Sequence, residues 1–273
     1  MVLATLAYPA IDPIAFRIGP VSVHWYGIAY LAGFAAGFAI VRWLVRRWEL
    51  VLTDDDLLSI LLAAVVGVIV GGRLGYVFVY GGTTYLRHPA EIFAMWDGGM
   101  SFHGGLVGIL VAGAVVSRTM RIPWLTLCDL GSVAAPAGLF FGRVANFVNG
   151  ELWGRVTTAP WGMVFPGAGA LPRHPSQLYE AALEGIVLFG VVMWIAMRRP
   201  TVPRGTIFGW LLTLYGVFRI GVEFFREPDV QIGFLPGGVT MGQLLSVPLV
   251  IGGIALIVWA RRRALPELGR GDG

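Results

Sequence analysis

The sequence predicts an all-α polytopic membrane protein, and its composition carries that prediction. Of its 273 residues, 56% are hydrophobic and only 13% are charged, and the mean hydropathy is +0.74. A soluble domain carries about 25% charged residues. The apolar residues also fall into long runs, each near the roughly 20 residues that a helix needs to cross the hydrocarbon core of a bilayer.

Seven apolar runs are long enough to be membrane-spanning helices. They lie at 23–41, 57–80, 102–118, 125–148, 177–197, 205–225 and 240–260. Thr53, followed by three aspartates, predicts the start of the second helix. The longest connection, 149–176, is rich in glycine and proline, and we expect a small extracytoplasmic insertion with a few short strands there, between helices four and five. Residues 1–273 are predicted to form a single integral membrane domain.

Arginines in the connections predict the orientation, because cytoplasmic loops carry an excess of positive charge. Twelve arginines follow the odd-numbered spans: Arg42, Arg46, Arg47, Arg118, Arg121, Arg198, Arg199, Arg204, Arg261, Arg262, Arg263 and Arg270. The opposite side carries five, which are Arg17, Arg87, Arg155, Arg173 and Arg226. The N-terminus is therefore predicted to lie outside and the C-terminus in the cytoplasm.

With this orientation, polar side chains from six spans converge in the outer half of the membrane. They are His24, Tyr26, Arg73, Ser101, His103, Arg143, Asn146, Gln177, Tyr179, Glu180, Arg219 and Glu223. Charged residues inside a membrane are costly and usually face a wet cavity or a ligand. Arginine binds phosphate through two parallel hydrogen bonds, so the layer predicts a site for an anionic headgroup. For Arg73, a side chain that only reaches the interface is an equally good interpretation.

Three of these helices each present polar side chains on one face, at spacings of three, four or seven residues. The sets are Arg219, Glu223 and Arg226; Arg143 and Asn146; and Gln177, Glu180 and Glu184. Carboxylates that face arginines hold the guanidinium groups in place and lower the cost of burying them. We therefore expect ion pairs between these helices.

Several other functions are disfavoured. The isoelectric point near 9.6 comes from arginines spread between apolar runs, and this pattern predicts no nucleic-acid partner. The four histidines form no His-x-x-x-His pattern and Cys128 is the single cysteine, so no metal site is predicted. A transporter for an anionic lipid is the main rival to an enzyme. The absence of an internal repeat and the placement of the polar layer in one leaflet favour the enzyme.

Four blocks carry a resemblance to a known family. Residues 142–154 read GRVANFVNGELWG, and around them stand DGGMSFHGG at 97–105, HPSQLYE at 174–180 and RIGVEFFR at 219–226. In this order they resemble the bacterial prolipoprotein diacylglyceryl transferases, over nearly the whole chain. The resemblance implies transfer of the diacylglyceryl group of phosphatidylglycerol to the lipobox cysteine in the signal peptide of a prolipoprotein. It also implies a multi-pass protein of the bacterial cytoplasmic membrane, in contact with membrane lipid, with no metal or organic cofactor.

The resemblance also implies roles for particular residues. We expect Arg143 and Arg219 to bind the phosphate and His103 to take the thiol proton, although a hydrogen-bonded structural His103 is a real alternative. The residues expected to bind or surround the substrate are Tyr26, Asn146, Glu151, Gly154, Glu223, Arg73 and Arg226. Glu223 and Glu151 are expected to orient arginines, and for Glu151 a simple loop ion pair is about as good an interpretation. The active site is expected toward the outer leaflet.

Overall fold

The computed structural model describes residues 6–79, 84–94, 98–198, 202–228 and 233–263. Within them the chain is mostly helical. The elements are strands β1 (Ile14–Ile18) and β2 (Val21–His24), then α1 (Trp25–Arg47), α2 (Asp54–Val79), α3 (Thr84–Arg87), a 3-10 turn (Pro89–Phe93), α4 (Phe102–Thr119), α5 (Trp124–Val148), α6 (Ser176–Glu180), a π-helical segment (Ala181–Val187), α7 (Leu188–Ala196), α8 (Thr206–Val222) and α9 (Met241–Arg263).

Helices occupy all seven predicted spans. Five are long and apolar enough to cross a membrane, and these are α1, α2, α5, the continuous stretch Ser176–Ala196, and α9. Two shorter apolar helices, Gly104–Thr119 and Thr206–Val222, fall on the third and sixth predicted spans. The chain is thus a polytopic helical membrane protein, while the number of crossings and their direction stay predictions.

Side-chain caps mark where several of these helices begin. Thr53 caps α2, since the Asp56 amide donates to its Oγ1 at 3.1 Å while its own amide donates to Asp56 Oδ2 at 2.8 Å. The predicted start at Thr53 is therefore confirmed. Thr240 and Gln243 form the same reciprocal pair at the start of α9, at 3.0 and 3.2 Å.

A β-hairpin before α1 differs from the sequence prediction. Strands β1 and β2 pair antiparallel, with Arg17 opposite Ser22. Gly19 at φ +58° makes the turn. The first predicted span began at 23, but His24 is the last residue of β2 and the helix begins at Trp25. His24 was therefore wrongly placed in a membrane helix, because two short strands give a weaker periodic signal than the long apolar run that follows them.

The chain divides into two compact units, Met1–Leu44 with Asp129–Gly273, and Val45–Cys128. Within the smaller unit, α2 and α4 approach along glycines. A Cβ built on Gly71 would lie 2.7 Å from the Gly108 Cα, and one built on Gly75 would lie 2.6 Å from the Gly104 Cα. Only residues without side chains allow this backbone contact. The prediction of a single domain over 1–273 stays a prediction.

In the larger unit, α8 is held at its start by a carboxylate from α5. Asp129 is fully buried and accepts hydrogen bonds from the amides of Gly205 at 2.8 Å and Phe208 at 2.9 Å. These amides have no acceptor within their own helix, so the carboxylate satisfies donors at the positive end of the helix dipole. Asp129 lies on α5 and therefore caps a helix other than its own.

The segment between α5 and α6 is held by isolated backbone bridges. Val156 and Met163 both pair with Arg173, and Leu6 pairs with Met163. Short strands were expected at 149–176, and these bridges are the extended structure found there.

Candidate active site

Three arginines and three glutamates form one ionic cluster within the larger unit. They are Arg143 on α5, Glu180 and Glu184 on the Ser176–Ala196 helix, and Arg219, Glu223 and Arg226 at the end of α8 and just beyond it. The expected ion pairs between helices are present. Glu180 and Glu184 lie four residues apart, and Arg219, Glu223 and Arg226 follow at intervals of four and three, so each of these two sets shares one face.

Glu180 is the centre of this cluster, because its carboxylate contacts all three arginines. Its Oε2 lies 3.2 Å from Nε of Arg143. Its Oε1 accepts a hydrogen bond from Nη1 of Arg226 at 3.1 Å and another from Nη1 of Arg219. The side chain is fully buried. A buried carboxylate with several guanidinium partners fixes them, because losing the contacts would leave charges both dehydrated and unpaired.

Two further carboxylates hold the remaining edges of the arginines. Arg143 Nη2 donates to Glu184 Oε2 at 3.3 Å. Arg219 Nη2 pairs with Glu223 Oε1 along the same helix. Helix α9 presents Gly242 to the Glu223 side chain, where an added Cβ would lie 2.6 Å from the carboxyl carbon. Glycine at that position gives the carboxylate its space.

The glutamates lie behind the arginines. The side chains of Glu180 and Glu184 have no exposed surface, while 17% of Arg143 and 14% of Arg219 remain exposed. The three positive and three negative charges balance in the free site. An anion that reaches the exposed guanidinium edges meets donors whose positions are already fixed, which is the arrangement that stabilises charge growing on a phosphate.

A π-helical segment begins directly after Glu180 and contains Glu184. Such segments are rare and occur frequently at functional sites, because they change which residues share a helix face. On the neighbouring face, a Cβ added at Gly185 would lie 2.7 Å from the Phe140 Cβ of α5. This tight packing sets the Glu180 and Glu184 carboxylates against Arg143, which lies on the same helix as Phe140. Apolar periodicity predicted the helix here without revealing the π segment.

A network of amides continues from the end of α5. Asn146 Nδ2 donates to Glu151 Oε1 at 2.8 Å, and the Glu151 amide donates back to the Asn146 carbonyl at 3.1 Å. Gln177 is fully buried, and its Nε2 donates to the Glu151 carbonyl at 2.5 Å. The partner of Glu151 here is Asn146, whereas an arginine was expected.

Gly154 is required by backbone packing. A Cβ there would lie 2.5 Å from the Phe225 carbonyl oxygen and 2.7 Å from both the Cβ and the carbonyl oxygen of His174. The Gly154 amide donates to the His174 carbonyl at 2.8 Å, and Gly154 pairs antiparallel with Arg226. The glycine therefore lets the segment between α5 and α6 pack against the end of α8.

Two predicted site residues are placed less completely. Tyr26 lies on α1, where it receives a hydrogen bond from Tyr30 at 3.4 Å, and the two rings are 5.0 Å apart. The side chain of His103 lies outside the described residues, so its role as a base stays a prediction.

Arg73 belongs to the smaller unit and has carbonyl partners. Its Nε donates to the Ile92 carbonyl at 2.8 Å. Its Nη1 donates to Gly98 at 2.5 Å and Gly99 at 3.1 Å, and its Nη2 to Glu91 at 2.5 Å and Ala94 at 3.1 Å. An arginine has five N–H donors, and all five are used. This geometry favours a structural role, holding the segment before α4, over the predicted contact with substrate.

A cavity of about 300 Å³ is lined by Trp161, His174, Tyr179, Leu183, Gly221, Val222 and Phe225. Tyr179 Oη receives a hydrogen bond from Trp161 Nε1 at 2.6 Å and lies 3.0 Å from His174 Nδ1. Burial lowers the pKa of His174 below its ordinary value of 6.5. The neutral ring is therefore the favoured form.

The sequence correctly predicts that Glu180 and Glu184 share the helix face that meets the arginines, but the predicted site residues do not include them. The signal was available, because carboxylates that repeat on one face of an apolar helix need partners. That one carboxylate serves three arginines could not be read from the sequence, since it depends on how three helices meet.

Comparison with known proteins identifies the family of this chain. The model of the prolipoprotein diacylglyceryl transferase family matches residues 13–259. A protein of Geobacter sulfurreducens is 50% identical over 94% of this chain and 98% of its own length. One of Methylocella silvestris is 52% identical over 96% of this chain and 98% of its own length.

Both relatives bear the name phosphatidylglycerol–prolipoprotein diacylglyceryl transferase, as does a protein of Rhodospirillum rubrum that is 51% identical over 95% of this chain and 96% of its own length. The matched range, 13–259, includes the four sequence blocks and the ionic cluster. The chain belongs to the prolipoprotein diacylglyceryl transferase family.

Proposed function

We propose that this protein transfers the diacylglyceryl group of phosphatidylglycerol to the lipobox cysteine of a prolipoprotein, the first step of lipoprotein maturation. The relatives' name supports both substrates. The observation that carries the proposal is a pair of partly exposed guanidinium groups, Arg143 and Arg219, held by buried glutamates among apolar helices.

The reaction exchanges a carbon–oxygen bond for a carbon–sulfur bond. The thiolate attacks the glyceryl carbon that bears the phosphate ester, and the thioether forms as the bond from that carbon to the phosphate oxygen breaks. The electron pair of the broken bond leaves with glycerol phosphate, so negative charge grows on the phosphate. Arg143 and Arg219 bind that phosphate and stabilise the growing charge. Such stabilisation by fixed donors is usually the largest single contribution to lowering the barrier of a reaction.

The glutamates keep these arginines in place before the lipid arrives. Glu180 contacts both, Glu184 holds Arg143, and Glu223 holds Arg219. Because the donors need not reorient during the reaction, no reorganisation energy is lost and their hydrogen bonds stabilise the transition state directly. Arg226 shares Glu180 and adds positive charge on the same side.

The thiol proton needs an acceptor, because a thiol with a pKa of about 8.5 is a weak nucleophile until it loses that proton. His103 is the proposed acceptor, and the unperturbed imidazole pKa of about 6.5 suits this role. Asn146, which is held by Glu151, and Tyr26 hydrogen-bond the headgroup. Gly154 contributes by keeping the extracytoplasmic segment against α8.

The membrane placement is part of the proposal. Seven helices cross the bacterial cytoplasmic membrane, with the N-terminus outside and the C-terminus in the cytoplasm. The loop arginines support this orientation. The ionic cluster then faces the outer leaflet, where a lipid can enter sideways with its acyl chains still in the bilayer.

The test is a transfer assay with the protein purified in detergent. Phosphatidylglycerol and a peptide with a lipobox cysteine are supplied as the two substrates. Mass spectrometry should detect the diacylglyceryl-thioether peptide with the wild type and none with a folded Arg143→Ala variant. A folded, lipid-binding wild type that forms no product would refute the transferase. If that protein moved phosphatidylglycerol across vesicle membranes, a lipid transporter would become the favoured function in place of the transferase.

A further inference from the structure

The end of α8 carries Glu223 and Arg226, whose side chains belong to the ionic cluster, and a third arginine binds the backbone there. Arg155 Nη2 donates to the Glu223 carbonyl at 3.0 Å, and its Nε donates to the Arg226 carbonyl at 3.0 Å. These carbonyls lie at the helix end, where no intrahelical donor is left for them. One guanidinium therefore binds the backbone of two residues of the cluster.

The backbone of Arg155 follows the same stretch of chain. Its amide donates to the Phe225 carbonyl at 2.8 Å, and the preceding residue, Gly154, pairs antiparallel with Arg226. Arg155 thus meets the carbonyls of 223, 225 and 226 through three different nitrogens. This density of contacts fixes both the position and the rotation of the end of α8.

Electrostatics favour a cation at this place. Partial negative charge accumulates on the last carbonyls of a helix, and a guanidinium near them is stabilising. The Arg155 guanidinium also lies 5.0 Å from the centre of the Phe234 ring, which adds a cation–π contact. Its partners are backbone carbonyls and a ring, so it is bound here without a carboxylate of the cluster.

We propose that Arg155 is a positioning residue for the transfer reaction. It ties the extracytoplasmic segment to the end of α8 and so keeps Glu223 and Arg226 in register with Glu180, and through Glu223 it keeps Arg219 aimed at the phosphate. The inference rests on the proposed function and assigns Arg155 no contact with either substrate.

Arg173 offers a matched control in the same segment. It also has three contacts, from Nε to the Ala168 carbonyl at 3.1 Å and from Nη1 to the Gly154 carbonyl at 3.2 Å and to Glu227 Oε2 at 3.0 Å. None of these is to a carbonyl of α8 or to a residue of the ionic cluster. Loss of Arg173 loosens the segment without freeing the end of α8.

The experiment compares Arg155→Ala, Arg155→Lys and Arg173→Ala in the transfer assay. We expect Arg155→Ala to lower kcat by about a hundredfold, because a small misplacement of a catalytic group has an effect of that size. The KM for the peptide should change by less than about threefold, since the displaced groups act on the phosphate. Arg155→Lys should recover part of kcat, because one ammonium can reach a carbonyl but lacks the fork that binds two.

Hydrogen exchange provides a readout that does not need activity. Amides of residues 219–226 should exchange faster in Arg155→Ala than in Arg173→Ala. The inference is overturned if Arg155→Ala keeps the kcat and the hydrogen-exchange rates of the wild type. It is also overturned if Arg155→Ala and Arg173→Ala lose kcat equally. If Arg155→Ala fails to fold, Arg155→Lys decides by the same two measurements. Inactive wild type with faster exchange in Arg155→Ala would refute the proposed function and leave the structural tie standing.

Discussion

Two regions of this protein bury arginine among apolar helices, and they satisfy it in opposite ways. In the smaller unit, Arg73 donates all five of its N–H groups to backbone carbonyls. In the larger unit, Arg143 and Arg219 pair with buried carboxylates and keep part of their surface exposed. The first arrangement uses the guanidinium to shape a chain segment. The second holds it ready for another anion.

The physical difference lies in what remains available to a ligand. Carbonyl dipoles occupy every donor of Arg73, so a phosphate would first have to break hydrogen bonds that hold residues 91–94 and 98–99. Carboxylates that approach Arg143 from the buried side leave the opposite edge accessible and also keep the free cluster neutral. An intramembrane arginine therefore indicates function through its partners and its exposed edge, and burial alone is insufficient.

The largest expected effect follows from replacing a guanidinium that binds phosphate. Arg143→Lys and Arg219→Lys keep the charge but lose bidentate geometry, and we expect kcat/KM to fall by about 10²–10³-fold in each. Steady-state assays with phosphatidylglycerol and a lipobox peptide measure this, with the exposed Arg17→Lys as the control. Activity within about threefold of wild type in a folded Arg143→Lys would remove that residue from the phosphate site.

Removing the centre of the cluster should affect stability and activity together. Glu180→Gln leaves three guanidinium groups without their shared counter-charge, and we expect the free energy of unfolding to fall by about 3 kcal/mol. Chemical denaturation in detergent measures it. The control is Glu227→Gln, whose ion pair with Arg173 is half exposed and should contribute less than about 1 kcal/mol. Equal destabilisation of the two variants would contradict the assigned role of Glu180.

The carbonyl-bound arginine should behave differently. Arg73→Lys has at most three donors for five carbonyls, so at least two acceptors lose their partner, and we expect a loss of about 1–3 kcal/mol in the free energy of unfolding. Transfer activity of the folded variant should fall by less than about tenfold, well below the fall in Arg143→Lys. An activity loss matching that of Arg143→Lys, without loss of stability, would restore the substrate contact that the sequence predicted for Arg73.

The smallest effect concerns pH, and it lies outside both arginine regions. The pKa of His174 is lowered by burial, so the unfolded chain takes up the proton first as the pH falls below 6.5. The free energy of unfolding should therefore decrease as the pH falls below 6.5.

Thermal unfolding of wild type and His174→Gln at several pH values measures that decrease. The variant should lose less stability than wild type between pH 7 and pH 5, because its amide does not titrate. Identical pH dependence in the two proteins would show that His174 is not the group responsible.

Much of the architecture could be predicted because it depends on local patterns. Long apolar runs gave all seven helical segments, and Thr53 with Asp56 gave the start of α2. The hairpin before Trp25 was missed, since its two short strands are specified by pairing with each other across Gly19. The π segment was missed as well, because its apolar pattern is compatible with an ordinary helix and packing against Phe140 selects the bulge.

The sequence by itself determined the class of the protein, its family and the face of each helix on which charges lie, because composition, motif order and helical spacing are properties of the chain alone. Only the tertiary structure decided which charges meet. It placed Glu180 in contact with three arginines and Glu151 with the amide of Asn146. It also placed the guanidinium of Arg73 against five carbonyls and that of Arg155 against the end of α8. A guanidinium can be satisfied equally by carboxylates or by carbonyls, and the choice depends on which groups distant segments bring within hydrogen-bond distance.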